Sequence, residues 1–158
     1  MSFSTWNIQG FGREYPKIQD DYLDSRITID PAFIRVAKQL AREYSLAILS
    51  NDAAEWSSFL RAKFGLDALI QQVVISGAVG VRKPKRAIYQ ILLERLGVPA
   101  QRCVFVDDRG LNLKAASDAG IKVVRFLRAA DHAQETNWDK VQDLEELPEI
   151  IGQLFPHE

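Results

Sequence analysis

Several features that often direct the interpretation of a sequence are scarce or missing here. The chain has one cysteine, Cys103, so no disulfide can form within it. The apolar neighbours of Cys103 indicate a small buried side chain. No apolar run approaches the ~18 residues of a membrane-spanning helix, and the first residues lack the basic and apolar regions of a secretion signal. We therefore expect a cytoplasmic protein without membrane contact.

An excess of charge of either sign is also missing. The 20 basic and 21 acidic residues give a formal net charge of -1. Nucleic-acid-binding domains typically carry a basic face, so we expect no nucleic-acid partner. Any recognition of an anion must come from a local group of side chains. The two histidines, His132 and His157, lack the spacing of metal ligands and lie outside the motifs described below.

The pattern that is present is an alternation of apolar strands and amphipathic helices. The 158 residues, 47% of them hydrophobic, suit one domain that buries about 70% of the surface of its unfolded chain. Strands are predicted at residues 3–7, 46–49, 73–76, 103–107 and 122–126. A loop or flap is predicted over 8–30, a helix starting at Asp30–Pro31, further helices after the next three strands, and a C-terminal extension over 129–158 that contains a helix.

This alternation predicts the class of fold. Strands that alternate with helices form a parallel sheet with right-handed crossovers and helices on both faces. We therefore predict a single α/β domain over residues 1–158, a three-layer α/β/α sandwich with a Rossmann-like parallel sheet and no separate cap domain.

The most informative stretch covers residues 104–112. An apolar, β-branched run ends abruptly in two carboxylates, Asp107 and Asp108, and a glycine follows shortly afterwards. Such a run is typical of a buried parallel strand that ends at the carboxyl edge of a sheet. In open α/β sheets this edge is where ligands bind.

Polar residues follow three of the predicted strands, so all of them are expected at that same edge. They are Ser50 and Asn51 after the second strand, Lys83 in the loop after the third, and Asp107, Asp108 and Asn112 after the fourth.

These residue types fit the chemistry of phosphate groups. A hydroxyl and the amides at a helix start, here at Ser50 and Asn51, hold phosphate oxygens, and the ammonium of Lys83 neutralises their charge. Carboxylates such as Asp107 and Asp108 bind Mg²⁺, which uses one or two protein carboxylates together with phosphate and water. Together these groups form the set needed for phosphoryl transfer, apart from a nucleophile, and they make a small phosphorylated molecule a candidate ligand.

Residues 46 to 126 resemble the haloacid dehalogenase superfamily of hydrolases and phosphatases. The family's second motif, a serine or threonine after an apolar strand, is similar to residues 46–51. Its third, a lysine followed by proline and a helix, is similar to residues 80–84, and the resemblance places Lys83 in the catalytic group. Its fourth, two aspartates, an asparagine and an Ala-Ala-x-x-Ala-Gly helix, is similar to residues 104–120.

The first motif of that family is absent in its usual form. The family has Asp-x-Asp-Gly, in which the first aspartate is the nucleophile and the second the general acid and base. The nearest match here begins at Asn7, which takes the nucleophile and metal-ligand position, with Gln9 at the acid/base position and Gly10 retained. A carboxamide cannot form an acyl-phosphate or transfer a proton in this way, so the resemblance implies impaired catalysis and weakened Mg²⁺ binding.

Alternatives remain open at this stage. The first strand and motif of the family could instead lie on a segment outside this sequence, which would make the chain a fragment of an active phosphatase. The chain could also be a non-catalytic interaction or regulatory module. For single residues, Ser50 could be only a helix N-cap, and Asn112 could be a helix cap or a partner of the site residues.

Overall fold

The computed structural model describes residues 27–128 and 137–156, and strands alternate with helices along them. The strands are β1 (Leu46–Ser50), β2 (Ile70–Ile75), β3 (Val104–Asp107), β4 (Lys122–Phe126) and β5 (Asp139–Val141). The helices are α1 (Pro31–Leu40), α2 (Ala54–Lys63), α3 (Ser76–Val79), α4 (Arg86–Leu96), α5 (Gly110–Asp118) and α6 (Leu147–Leu154). Short 3-10 helices cover Leu66–Ala68, Ala100–Arg102 and Leu144–Glu146.

All strand pairings are parallel. β1 pairs with β2, and β3, β4 and β5 form a second sheet in that order. Within residues 27–128 and 137–156, no hydrogen-bonded pairing joins β1 to β3. The predicted strand at residues 3–7 and most of the predicted loop at residues 8–30 lie outside the described residues.

The core has apolar layers on both faces of the sheets. On one face, residues from β1 to β4 pack with α4 and α5; the buried members are Leu49, Val74, Ile88, Tyr89, Leu92, Phe105, Leu113, Ala116, Ile121 and Val123. On the other face, β4 and β5 pack with α1 and α6 through Val36, Val124, Val141, Leu147 and Ile151. The predicted three-layer α/β/α arrangement with parallel strands is therefore confirmed.

Two helix boundaries have the predicted causes. Asp30 caps α1 by accepting a hydrogen bond from the Ala32 N–H at 2.8 Å, and Pro31 occupies the first helical position. Gly97 ends α4 with a φ of 65°, a left-handed conformation that glycine adopts without steric cost. The helix near the C-terminus is also present, as α6.

The structure differs from the sequence prediction at three elements. β2 starts at Ile70 rather than at residue 73. The helix α3 takes Ser76, the last residue of the predicted strand, and the first residues of the loop that was expected after it. β5 was not predicted, because Val141 is the one apolar residue among its three residues and gives no alternating pattern. In the part of the chain that the model describes, no helix combines the length and apolarity needed to cross a membrane.

Candidate functional site

The predicted site residues that fall within the described chain lie around the carboxyl ends of β1 and β3. Ser50 is the last residue of β1, and Asp107 is the last residue of β3. Lys83 lies in the loop between α3 and α4, and hydrogen bonds connect it to both strand ends. Asn7 and Gln9 lie outside the described residues, so their positions stay predictions.

A buried ion pair forms the centre of this site. The Nζ atom of Lys83 lies 2.7 Å from Oδ2 of Asp107, and the two side chains are 10% and 8% exposed. The same Nζ atom lies 5.1 Å from the centroid of the Phe105 ring. Because both side chains are largely buried, each charge is stabilised by its partner more than by solvent.

Asp107 is held by two further donors. The Asn112 Nδ2 group lies 3.1 Å from Oδ1 and 3.2 Å from Oδ2 of Asp107, and the Arg109 N–H donates to Oδ1 at 2.8 Å. α5 begins at Gly110 after Arg109, so Asn112 lies inside the helix and contacts the site rather than capping the helix. The Asp107 carboxylate is therefore fixed by three groups.

A buried tyrosine supports this arrangement from α4. The Tyr89 hydroxyl donates a hydrogen bond of 2.8 Å to the Asn112 carbonyl, and its ring packs edge-on against Phe105 with centroids 5.7 Å apart. Burial, and secondly the charge of Asp107, raise the pKa of Tyr89 well above its ordinary value. Tyr89 therefore stays a neutral donor that orients the segment bearing Asn112.

Asn51 clamps the backbone of Lys83. Its Nδ2 group donates to the Lys83 carbonyl at 3.0 Å, and its Oδ1 atom accepts from the Lys83 N–H at 2.8 Å. The Lys83–Pro84 peptide bond is cis. Asn51 thus connects the end of β1 to the lysine loop, and its contact with a phosphate stays a prediction.

Ser50 is not a helix cap. α2 starts at Ala54, and its N-cap residue, Ala53, forms no side-chain cap hydrogen bond. Ser50 is half-buried. Its hydroxyl makes no hydrogen bond to another described residue, so it remains available as a donor at the strand end.

The loop after β1 is attached to the start of α3. The Asp52 N–H donates to Ser76 Oγ at 3.0 Å, and the Gly77 N–H donates to the Asp52 carbonyl at 3.0 Å. Partial burial raises the pKa of the Asp52 carboxyl, although a hydrogen bond from the Ala53 N–H acts in the opposite direction. Asp52 was not singled out in the sequence, and its contacts attach the loop after β1 to α3.

Asp108 faces a different cation. The Nε atom of Arg128 lies 2.7 Å from Oδ2 of Asp108, and the two side chains are 43% and 16% exposed, respectively. Arg128 follows the end of β4, the strand that pairs with β3. It was not predicted as a site residue, because no candidate was sought after the last predicted strand.

The carboxylates fit a magnesium ion that also takes ligands from outside the protein. Asp107 and Asp108 are consecutive at a strand end, and Mg²⁺ commonly uses one or two carboxylates with phosphate oxygens and water. Across the described residues there is no group of three or more His, Cys, Asp and Glu side chains that could hold a metal ion. Asp107 and Asp108 stay predicted metal ligands.

Sequence similarity points to a known group of hydrolases. A family model described as haloacid dehalogenase-like hydrolase matches residues 5–120. The glyceraldehyde 3-phosphate phosphatase of Methanopyrus kandleri is 33% identical over 107 residues, which cover 63% of this chain and 45% of that enzyme. The chain thus spans less than half of the length of this curated relative.

Solved structures share the fold. An HAD phosphatase from Thermococcus onnurineus superposes with a TM-score of 0.78 and 24% identity, covering 87% of this chain and 64% of that one. The putative HAD-hydrolase YfnB from Bacillus subtilis, a structure with bound magnesium, has a TM-score of 0.76 and 19% identity, covering 86% and 61% of the two chains. At these identities the likeness shows the fold.

Proposed function

Because the chain belongs to the haloacid dehalogenase-like hydrolases, we propose that it is a phosphatase-type domain that binds the phosphate group of a small molecule. The observation that carries this proposal is the buried Lys83–Asp107 ion pair, whose lysine backbone is clamped by Asn51. A solvated surface lysine would need neither this burial nor this clamp. The glyceraldehyde 3-phosphate phosphatase named above supports a phosphorylated ligand.

In this proposal, different residues of the site bind the phosphate and the metal ion. Ser50, Asn51 and Lys83 would hold the phosphate oxygens by hydrogen bonds and charge. Asp107 and Asp108 would hold Mg²⁺, which when bound neutralises phosphate charge and polarises the phosphoryl group. Asn112 positions Asp107 through the hydrogen bonds described above.

Catalysis in this proposal is impaired. Asn7 stands at the nucleophile position and Gln9 at the acid/base position of the family's first motif. The amide nitrogen and oxygen of a carboxamide are poor nucleophiles, and glutamine has no acidic proton to give at neutral pH. The domain would then bind a phosphorylated ligand with little or no turnover.

A second candidate is a phosphatase domain whose first strand and motif lie on another segment. The gap between β1 and β3 does not separate the two candidates, because the predicted first strand at residues 3–7 lies outside the described residues. In this case the retained residues would form half of an active site. A purely non-catalytic module explains the buried Lys83–Asp107 pair less well, since a buried ion pair is weak as a source of stability.

The test is Mg²⁺-dependent hydrolysis of p-nitrophenyl phosphate by the native chain and by the double variant Asn7→Asp, Gln9→Asp. We expect no significant turnover by the native chain and measurable turnover by the double variant. A matched control adds Ser50→Ala to the double variant, which leaves the Lys83–Asp107 ion pair in place and should reduce the gain.

The other outcomes separate the candidates. Substantial turnover by the native chain would show that catalysis is not impaired. An inactive double variant that still binds inorganic phosphate would favour a first motif located on another segment.

A further inference from the structure

The two carboxylates of the candidate metal site each face a different cation, and the two pairs differ in accessibility. Lys83 and Asp107 are locked together, with side chains only 10% and 8% exposed. In the pair of Asp108 with Arg128, the arginine side chain is 43% exposed. Separating Arg128 from its carboxylate therefore costs much less free energy than separating Lys83 from Asp107, because water already reaches the guanidinium.

From this difference we infer that Arg128 competes with Mg²⁺ for Asp108 and thereby lowers the metal affinity of the site. The inference rests on the metal site of the proposed function. Arg128 Nε lies 2.7 Å from Oδ2 of Asp108, a distance at which the guanidinium occupies one of the oxygens that a metal would use. A cation this close also opposes the approach of a divalent ion.

The position of Arg128 makes it suited to this exchange. It follows Leu127, whose N–H donates to the Val141 carbonyl at 2.8 Å, so the backbone just before the arginine is tied to β5. The exposed side chain then extends from a fixed backbone toward the end of β3. Arg128 thus acts on the metal site through Asp108, whose charge it partly neutralises, and it contacts no reacting atom itself.

Isothermal titration calorimetry with MgCl₂ tests the inference without using turnover. We expect Arg128→Gln to tighten Mg²⁺ binding by about threefold to tenfold, the equivalent of losing one partly exposed ion pair. Arg128→Lys keeps the charge and should return the affinity toward the native value. The matched control is Arg102→Gln, which removes an exposed arginine just before the amino end of β3, at the opposite end of the strand from Asp108, and should leave the affinity nearly unchanged.

Two further outcomes overturn the inference. Unchanged Mg²⁺ binding by Arg128→Gln would mean that Arg128 does not compete with the metal. Weaker binding would mean that Arg128 supports Asp108 as a metal ligand. Asp108→Asn separates this failure from a failure of the metal site. If the native chain, Arg128→Gln and Asp108→Asn all have the same Mg²⁺ affinity, the assignment of Asp108 as a metal ligand fails together with the inference. A separate titration with inorganic phosphate then shows whether the phosphate site of the proposed function still holds.

Discussion

Lys83 and Asp107 form an ion pair in which both side chains are largely buried. Replacing Lys83 with methionine would leave the Asp107 carboxylate buried with only its hydrogen bonds from Asn112 and the Arg109 N–H. We expect Lys83→Met to lower the free energy of unfolding by about 3 to 5 kcal/mol, as measured by urea denaturation.

The control for this loss is an exposed ion pair. Lys114 and Asp118 lie on α5 with side chains that are 66% and 63% exposed. Water and salt screen such a pair, so Lys114→Met should cost less than about 1 kcal/mol. If Lys83→Met lowers the free energy of unfolding no more than Lys114→Met does, then Asp107 does not need Lys83 as its charged partner.

Asp52 should make stability depend on pH. Its raised pKa in the folded state means that ionisation costs stability as the pH rises above the unfolded value of about 3.9, and the full cost is present above the folded-state pKa. Asp52→Asn removes this cost while its amide oxygen can still accept from the Ala53 N–H. We expect the variant to be more stable than the native protein at pH 7.5.

Urea denaturation midpoints between pH 4 and pH 8 measure this effect. The advantage of Asp52→Asn should shrink as the pH falls through the raised folded-state pKa, because protonation of the native carboxyl removes the cost. An advantage that is constant over this range, or that grows at low pH, would contradict the assignment.

At the scale of elements, the contact between the β1–α2 loop and α3 has no space for a larger residue. A Cβ atom on Gly77 would lie 2.9 Å from the Asp52 carbonyl oxygen and 3.1 Å from the Ala54 nitrogen, both backbone atoms. We expect Gly77→Ala to destabilise the protein by about 1 to 3 kcal/mol, measured by thermal or urea denaturation, because the backbone must shift.

Gly152 is the matched control. It lies inside α6, and a Cβ atom there would meet nothing within 4 Å outside the helix's own nearby backbone. Alanine is favoured over glycine in helix interiors, so Gly152→Ala should stabilise the protein by about 0.5 to 1 kcal/mol. Equal changes in the free energy of unfolding for Gly77→Ala and Gly152→Ala would contradict a close contact at Gly77.

The elements show what an amino-acid pattern can and cannot predict. Strong local signals placed α1 and the end of α4, because Asp30–Pro31 and Gly97 act on their own backbone. β5 was missed, since pairing with β4 rather than local sequence makes residues 139–141 a strand. Tertiary contacts therefore decided the elements that composition left ambiguous.

The same distinction holds for the site. Parallel strands bring their carboxyl ends to one edge, which is why a site that includes Lys83 and Asp107 could be predicted from their positions after strands. The clamp by Asn51 and the pair of Asp108 with Arg128 could not, because they depend on side-chain directions in loops. Asn7 and Gln9 stay predictions from the resemblance.

At the scale of the whole molecule, two parallel sheets share one apolar layer, and the residues proposed to bind phosphate lie where β1 and β3 end. The proposed function requires that this edge binds phosphate. Ser50 offers the most selective variant, because its hydroxyl makes no hydrogen bond to another described residue and its loss should leave the fold intact.

The most direct test is calorimetric titration of orthophosphate in the presence of MgCl₂, using the native chain, Ser50→Ala and the control Ser58→Ala from the exposed face of α2. A hydrogen bond to a charged group is worth roughly 1.5 to 3 kcal/mol, so we expect Ser50→Ala to weaken phosphate binding about tenfold or more, with Ser58→Ala unchanged. A native chain that does not bind phosphate, or equal affinities for all three proteins, would contradict the account.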